Sequence, residues 1–386
     1  MKKKILFING HMHLGGVEKS LLDILQHTNY DKYDVDLLLI EDSGEYIKDI
    51  PQDVNIIHKS LQNAYGPFFK VLFKCLREKK WRDIWIRILL TFQSNKEKRF
   101  KGIIQLLLGK QQYDCAIAFR TGICTELVAY GVNAHRKYTW WHHGEFNLSG
   151  DALIAYKDCA KVFNKIIAVS DSCKTEILQM VPNCSIEVIP NIVDVQTIIR
   201  KANQPLTLPA VKGNKIIVSV SRIAPEKHFE NVVYTVEKLL EKGIEGFRWY
   251  IIGGGWDFEK IKASINSKGL EKKLIMKGFQ ANPYMYIQNA ALFVHSSYIE
   301  SQGLAILEAM ALGVPCVVTK SRGPCEFIED GVNGILTEQS PESLAEQVER
   351  MLTDEALYQR IKTNTRCPEK FSPERVMRNI EALFEG

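Results

Sequence analysis

Arg222 and Lys227 are two cations that follow a run of β-branched residues at Lys215–Val220. Such a run predicts a buried strand, and ligands of open parallel sheets bind at the carboxyl ends of the strands. An arginine fork and a lysine point charge at one such end can hold a diphosphate. Two solvated loop cations are the alternative, which this pair alone leaves open.

A second candidate phosphate site lies where a predicted strand at Leu292–His295 is followed by a predicted helix at 304–312. The backbone N–H groups of Gly303, Leu304 and Ala305 would stand at the N-terminus of that helix. Helix N-termini bind phosphate because their unpaired N–H groups and the positive end of the helix dipole point at the ligand.

Two acids flank the start of the same helix. Glu308, about one turn into it, can hold the hydroxyls of a ribose, and Glu300, before it, can reach those of a sugar. The alternative makes Glu300 a capping acid and Glu308 a solvated helix residue.

A run of three glycines, beginning at Gly253, ends the predicted strand at Trp249–Ile252. Glycines there let the backbone approach a ligand, although the third glycine of a dinucleotide fingerprint is missing at the required offset. An ordinary tight turn explains the run as well. Phe279 follows the next predicted strand, whose exit could present backbone groups to a base.

The first half of the chain offers a glycine pair and a histidine pair. Gly15 and Gly16 precede a predicted helix, where they leave room for a substrate or for close packing. His142 and His143 follow a predicted strand at Lys137–Trp140, beside two tryptophans. Paired histidines are unusual in a core, and a structural histidine stacked on tryptophan is the alternative.

The combined pattern of the second half resembles retaining nucleotide-sugar glycosyltransferases of the GT-B fold, family 4. The resemblance rests on Arg222, Lys227, Glu300, Gly303, Glu308 and the segment GPCEFIEDGVNGIL at 323–336. Gln302 departs from the family pattern, since many members have an aromatic residue there. This departure obscures which sugar is held.

The resemblance implies how a donor is bound. Arg222 and Lys227 would hold the diphosphate, Glu308 the ribose and Glu300 the donor sugar, with the amides at the helix start on the phosphates. Among these, Arg222, Lys227 and Glu300 would take part in catalysis. The predicted donor-binding set is completed by Gly15, Gly16, Gly253, Phe279, Gly303, Leu304 and Ala305.

For the first half of the chain, the resemblance implies a histidine beside the donor sugar, followed shortly by an acid. The alignment gives His143 this catalytic role and makes Glu145 the acid, with His142 the alternative by one residue. Arg120, after a predicted strand, could meet an anionic acceptor. Arg120, His142 and Glu145 form the predicted acceptor-binding set. The family's glycine pair followed by Val-Glu is matched at 15–18.

Neither a metal nor a cofactor is expected. No convincing Asp-x-Asp motif lies at a strand end, and Asp34-Val35-Asp36 starts a predicted strand instead. The resemblance implies front-face displacement, in which the leaving phosphate takes the acceptor proton. Cationic side chains and helix-end amides would then stabilise the leaving group electrostatically.

The elements that must position these residues follow from periodicity. Short β-branched runs alternate with longer amphipathic runs, which predicts parallel α/β sheets. We therefore expect two Rossmann-like domains facing a central cleft, as in GT-B enzymes. An acceptor-binding domain would span 1–195 and a nucleotide-sugar domain 214–372, joined by a linker at 196–213. The last helix, 373–386, is expected to cross back to the first domain.

The segment 68–110 is strongly basic, with twelve Lys or Arg against three acids. Its apolar residues recur at helical spacing, which predicts two basic amphipathic helices. Such helices suit an anionic membrane surface. Helices packed on the domain with a solvated basic face are the alternative.

Composition narrows the class of protein. Nine scattered cysteines without a CxxC pair argue against a disulfide framework and a zinc site, and for a reducing cytoplasm. No signal-peptide core and no run of apolar residues long enough for a membrane span is visible. No module for reading nucleic acid is apparent. We therefore expect a cytoplasmic protein that visits the inner face of the membrane at most.

The sequence thus predicts a retaining glycosyltransferase that uses a nucleotide-diphosphate sugar, with UDP the family's common choice. Its acceptor would be a glycan or lipid-linked glycan of surface polysaccharide synthesis. A phosphorylase, an epimerase or a catalytically silent partner subunit are the alternatives. A phosphorylase would normally mark a lysine for pyridoxal phosphate, and a silent partner tends to lose the site residues that are present here.

Overall fold

The computed structural model describes residues 2–142, 150–206 and 215–386. The chain forms two compact units. The first consists of Met1–Pro190 with Val376–Gly386, and the second of Asn191–Arg375. Each unit is built around its own parallel sheet, so the predicted fold class is confirmed.

The first unit alternates strands with helices and contains a helical insertion between its third and fourth strands. In chain order its elements are β1 (Lys3–Asn9), α1 (Gly16–His27), β2 (Tyr33–Leu39), β3 (Val54–Ile57), α2 (Phe68–Arg77), α3 (Trp81–Phe92), α4 (Lys96–Leu108), β4 (Tyr113–Ala118), α5 (Ile123–Glu126), β5 (Ala134–Trp141), α6 (Gly150–Ala160), β6 (Lys165–Ala168), α7 (Asp171–Met180) and β7 (Ile186–Val188). The seven strands pair in parallel in the order β3-β2-β1-β4-β5-β6-β7.

The second unit repeats the alternation with six strands. Its elements are α8 (Val195–Ala202), β8 (Lys215–Val220), α9 (Phe229–Glu241), β9 (Phe247–Ile252), α10 (Phe258–Ser267), β10 (Leu274–Met276), α11 (Tyr284–Gln288), β11 (Leu292–His295), α12 (Leu304–Ala311), β12 (Cys316–Thr319), β13 (Ile335–Thr337), α13 (Pro341–Thr353) and α14 (Glu355–Asn364). The final helix, α15 (Pro373–Glu385), begins in this unit and continues into the first. The sheet order is β10-β9-β8-β11-β12-β13, again with parallel pairs.

Both sheets are covered on their two faces, which explains the continuous apolar runs that predicted the strands. In β1 the four residues from Ile5 to Ile8 are fully buried. In the second core, the Trp249 indole donates to the Ser219 hydroxyl at 3.0 Å, and that hydroxyl donates to the Val294 carbonyl at 2.6 Å. Buried polar groups are stable when they are paired in this way.

The last helix, α15, ends in the first unit, which confirms the expected return of the chain. The ring of Phe384 packs edge-on against Tyr33 and Phe7, with centroids 5.0 and 6.3 Å away. The Tyr138 hydroxyl donates to the Leu383 carbonyl at 3.1 Å. This helix therefore fills part of the first unit's core.

The predicted linker contains a helix. α8 begins at Val195, after Asp194 caps it by accepting from the Thr197 amide at 3.0 Å. Its apolar side places Ile198 and Ala202 in the core of the second unit. Two turns are too short for a clear period in the sequence, which is why the segment reads as irregular there. Residues 207–213 of the predicted linker lie outside the described residues.

The topology selects one place on each sheet for a ligand. Strand order reverses between β1 and β4 in the first unit and between β8 and β11 in the second. Chain segments leaving two such neighbours turn in opposite directions, and the carboxyl ends of these strands form the usual binding crevice of open α/β sheets.

Candidate functional site

The reversal point of the second sheet joins the two predicted halves of the donor site. The loop after β8 carries Lys227, and the loop after β11 carries Glu300. Lys227 Nζ lies 2.5 Å from Glu300 Oε1. The loops are also linked through Ser296, whose hydroxyl donates to the Lys227 carbonyl at 2.7 Å. Two residues 73 positions apart thus form one ion pair, with both side chains 14% exposed.

A histidine that the sequence analysis missed completes this cluster. His295, the last residue of β11, places Nε2 2.8 Å from Glu300 Oε1, the same oxygen that Lys227 contacts. Its side chain is buried, with its ring parallel to Phe293. A histidine at the end of a predicted buried strand is the signal that the sequence offered.

Burial alone would raise the pKa of Glu300, but the Lys227 charge and the hydrogen bond from His295 outweigh it. The pKa of Glu300 therefore lies well below its usual range. The group is a carboxylate near neutral pH, and it can only accept hydrogen bonds. It follows that His295 Nε2 carries the proton and donates.

This geometry predicts that substitution of His295 changes the pH dependence of kcat/KM. A lowered pKa means that interactions of the Glu300 carboxylate are complete above its ordinary pKa and are lost only as pH falls through the lowered value. His295→Phe should raise the pKa of Glu300 and move the acidic limb of kcat/KM to higher pH, whereas His295→Gln keeps an N–H donor. Profiles of both variants, with exposed His58→Phe as control, test this; identical limbs in all three would contradict it.

Arg222, the other predicted diphosphate cation, is in a different environment. Its guanidinium pairs with Glu226 at 2.6 Å and lies 5.6 Å from the centroid of the Trp256 ring. The side chain is 58% exposed, so its pairing is accessible to solvent and to a ligand. Arg222 is therefore an exposed surface cation, unlike the enclosed Lys227.

Because Arg222 is exposed, we expect a moderate loss when it is removed. Arg222→Ala should weaken the binding of a nucleotide sugar by about 1–2 kcal/mol, below the full value of a charge-assisted hydrogen bond. Calorimetry with the donor measures this change, and Lys262→Ala, an exposed cation elsewhere on the unit, is the control. Equal affinities of the two variants would remove Arg222 from the site.

The turn before α12 has the geometry expected of a helix N-terminus. Gly303 adopts φ +84°, and a Cβ there would lie 2.8 Å from the Ile306 side chain, so glycine is required. Leu304 and Ala305 then begin the helix. The buried Gln302 accepts from the Asn191 backbone N–H at 2.8 Å, which anchors the turn to the start of the unit.

Glu308 is half-buried on α12 and does not behave as a solvated residue. Its Oε1 accepts from the Tyr284 hydroxyl at 2.8 Å. Tyr284 belongs to the buried face of α11. The carboxylate is therefore held in one place by a tyrosine that the sequence analysis did not single out.

The glycine run after β9 is explained mainly by backbone packing. A Cβ on Gly253 would lie 1.9 Å from the Ser221 carbonyl oxygen, and one on Gly255 would lie 2.2 Å from that of Ile223. The exposed Phe279 ring covers Gly254. The run thus lets two loops meet beside Arg222, which agrees with a tight turn. The ring of Phe279 remains exposed there.

A separate polar cluster occupies the reversal point of the first sheet. Arg120, after β4, places Nη1 2.7 Å from Glu18 Oε1 and 3.1 Å from His11 Nε2. Burial, together with the nearby Arg120 charge, lowers the pKa of His11 despite the opposing effect of Glu18. His13 Nδ1 contacts Glu45 at 3.1 Å. The sequence analysis did not single out either histidine.

The predicted glycine pair borders this cluster. A Cβ on Gly15 would lie 2.4 Å from Glu18 Oε2, so the glycine leaves room for this carboxylate, and Gly16 begins α1. Glu18 is almost fully buried. Its ion pair compensates the charge of Arg120, which makes Arg120 a weaker anion site than the sequence suggests.

The histidine pair after β5 is only partly described. His142 is half-buried, and the centroid of its ring lies 4.7 Å from that of Phe119. The ring centroid of Trp140 lies 5.2 Å from that of the same phenylalanine. His143 and Glu145, which the resemblance places at the active site, lie outside the described residues.

The described part of the chain lacks two kinds of feature. It holds no group of three or more His, Cys, Asp or Glu side chains arranged to bind a metal ion. Within the same residues, the helices are all too short or too polar to cross a bilayer.

Comparison with known proteins adds to this geometry. Residues 201–367 match the family model of glycosyl transferases group 1. A poly(ribitol-phosphate) alpha-N-acetylglucosaminyltransferase of Staphylococcus aureus is 27% identical over 249 residues, 64% of this chain and 49% of that enzyme. The chain thus spans about half the length of this curated relative.

Two further proteins match along almost the whole chain. An N-acetylgalactosamine-N,N'-diacetylbacillosaminyl-diphospho-undecaprenol 4-alpha-N-acetylgalactosaminyltransferase of Campylobacter jejuni is 24% identical over 381 residues, 96% of this chain and 95% of its own. The crystal structure of Anabaena HepE with UDP and glucose superposes with a TM-score of 0.73 at 20% identity, covering 100% of both chains. Residues 201–367 are therefore similar to a glycosyl transferases group 1 domain, and the chain has the GT-B fold.

Proposed function

We propose that this protein is a retaining glycosyltransferase that moves a sugar from UDP to a glycan or lipid-linked glycan in surface polysaccharide synthesis. The observation that carries the proposal is the cluster of Lys227, His295 and Glu300 at the reversal point of the group 1 domain. An enclosed carboxylate beside an enclosed cation suits a ligand that presents sugar hydroxyls and phosphate together.

In this proposal the second unit binds the donor. Lys227 and Arg222 hold the diphosphate with the N–H groups at the start of α12, while Glu308 accepts from the ribose hydroxyls. Glu300, whose two protein contacts are made to Oε1, accepts from a sugar hydroxyl through Oε2. The low pKa of Glu300 keeps it a hydrogen-bond acceptor throughout, so it orients the sugar and does not transfer a proton.

The transfer step follows front-face displacement. The bond from the anomeric carbon to the diphosphate oxygen breaks while the acceptor oxygen approaches the same face. The departing oxygen takes the acceptor proton, and the configuration is retained. Arg222, Lys227 and the helix-end amides stabilise the charge that develops on the diphosphate. His143 is proposed to act beside the sugar, with Arg120, His142 and Glu145 on the acceptor side.

The relatives support the substrate class. The S. aureus enzyme acts on poly(ribitol phosphate), the C. jejuni enzyme on an undecaprenol diphosphate glycan, and HepE was crystallised with UDP and glucose. We propose that the protein works on the cytoplasmic side of the cell membrane, with no nucleic acid as partner.

Thermal shift against a panel of nucleotide sugars tests the proposal, since a donor at about 100 times its Kd stabilises the native state by about 2.7 kcal/mol. The donor that raises Tm is then incubated with a lipid-linked glycan extract, and UDP release and anomeric configuration are measured. Binding without turnover would identify a silent partner subunit. Inversion, or no response to any nucleotide sugar, would overturn the proposal.

Metal removal gives a separate prediction. Turnover should be unchanged in excess EDTA, because cationic side chains and amides take the place of a metal ion on the diphosphate. Loss of activity in EDTA, restored by Mg²⁺ or Mn²⁺, would show that these groups are insufficient.

A further inference from the structure

Helices α2 and α3 expose an unusual set of large apolar side chains. We call this set the aromatic face; it consists of Phe69, Phe73, Leu76, Trp81, Trp85 and Phe92, each between 42% and 70% exposed. Isolated exposed apolar residues are ordinary, but a contiguous group marks an interaction site.

The aromatic face is one continuous surface. Residues 69, 73 and 76 recur at helical spacing on α2, as do 81, 85 and 92 on α3. The ring of Phe68 joins the two helices, with centroids 5.4 Å from Phe69 and 5.3 Å from Phe92. The exposed sides of the two helices therefore adjoin.

The same helices already have a separate buried side. Val71 and Cys75 of α2 pack against Ile84 of α3 in a small core of their own. The aromatic face is thus apolar surface additional to this small core.

Cations surround this apolar surface. The segment 68–92 contains seven Lys or Arg and two acids. Both acids are paired inside the segment, Glu78 with Lys80 and Asp83 with Arg82. The five remaining cations are Lys70, Lys74, Arg77, Lys79 and Arg87.

We propose that the aromatic face inserts into the interfacial region of a bilayer of anionic phospholipid, with the surrounding cations on the lipid headgroups. Tryptophan and phenylalanine on one side and Lys and Arg beside them are the composition of helices that lie in a membrane interface. The proposal does not rest on the proposed reaction.

Charge argues against a second copy of the chain as the occupant. In a symmetric dimer the same patch meets itself, so the five uncompensated cations of one copy would face those of the other. A bilayer of anionic lipid instead offers opposite charge and an apolar interior to the same surface.

Co-sedimentation of the full-length protein with vesicles tests the proposal. We expect the protein to bind vesicles that contain equal amounts of phosphatidylglycerol and phosphatidylcholine. Binding to vesicles of phosphatidylcholine alone should be weaker. Added salt should weaken binding without abolishing it, because salt screens the cations but not the apolar contact. Phe73→Ser with Trp81→Ser and Trp85→Ser should lower the partition coefficient at least about tenfold at every salt concentration.

Matched controls separate this surface from general stickiness. Leu178→Ser with Ile199→Ser and Val332→Ser removes three exposed apolar residues elsewhere and should leave binding unchanged. Lys70→Glu with Arg77→Glu and Lys79→Glu should weaken binding at low salt. The same charge change in exposed Lys262, Lys272 and Arg360 should weaken it much less.

Tryptophan emission reports insertion directly. In a Trp256→Phe background the exposed tryptophans are those at 81 and 85, while those at 140, 141 and 249 are buried in the cores. Vesicles should shift the emission to shorter wavelength. No vesicle binding at low salt, or equal binding by the triple serine variant, would overturn the proposal. The proposal would also be overturned if the protein dimerised without lipid and the triple serine variant did not. That result would identify a second copy of the chain as the occupant of the aromatic face.

Discussion

Lys227→Met should lower kcat/KM by about one to two orders of magnitude and should also lower the free energy of unfolding, because two interactions are lost together. The donor diphosphate loses a charge-assisted contact worth about 1.5–3 kcal/mol. Glu300, which is almost enclosed, loses the cation that compensates it, and an uncompensated buried charge costs about 3–5 kcal/mol. Kinetics with the cognate donor measure the first effect, and urea unfolding measures the second.

The pH dependence of stability should also change in this variant. With Lys227 present, the pKa of Glu300 is lowered, so the stability that it contributes is present above its ordinary pKa and is lost as pH falls. Without Lys227, burial is opposed only by His295, so the pKa of Glu300 should rise. The stability that Glu300 contributes should therefore be smaller in the variant and should be lost at a higher pH than in the wild type.

A double variant separates the two losses. Lys227→Met with Glu300→Gln removes the buried charge as well as its partner, so the unfolding free energy should recover while kcat/KM stays low. Lys320→Met, which breaks an exposed ion pair with Glu338, is the matched control and should cost less than about 1 kcal/mol. Full activity in a folded Lys227→Met variant would exclude this lysine from the donor site.

The sequence predicts this cluster only in part, and the reason is topological. Lys227 and Glu300 each follow a strand that is recognisable from its β-branched run, but their contact depends on β8 and β11 being neighbours. Strand order is not encoded in local periodicity. His295 was not predicted as a site residue for a related reason. It ends a run whose apolar residues identify a buried strand, and that run alone does not show which strands lie beside it.

The two-unit fold is easier to predict from the sequence than the details of its surface. Parallel strands covered on both sides must be apolar throughout, and so they stand out in the sequence. The helices at 68–92 show the opposite case. Their apolar spacing is compatible with a packed side or an exposed one, and only the structure distinguishes Val71, which is buried, from Phe73, which is 68% exposed.

The histidine pair after β5 presents the same ambiguity, and one of its members contacts an aromatic ring of the core. The ring of His142 lies against Phe119, next to the buried Trp140. A residue held in this way contributes to stability through its contacts. Of the two candidates, His143 therefore remains the one that we propose for the chemical step.

This assignment predicts that the two histidines respond differently to substitution. His143→Ala should lower kcat by a factor of about 10² to 10³, the usual contribution of a positioned catalytic group, while Kd for the nucleotide sugar stays nearly constant. His142→Ala should lower the unfolding free energy by about 1–2 kcal/mol, as expected for loss of a half-buried aromatic contact, with a smaller change in kcat. Single-turnover rates, calorimetry with the donor and urea unfolding of both variants measure these quantities. If His142→Ala abolishes turnover while keeping wild-type stability, the roles of the two residues are the reverse of those proposed.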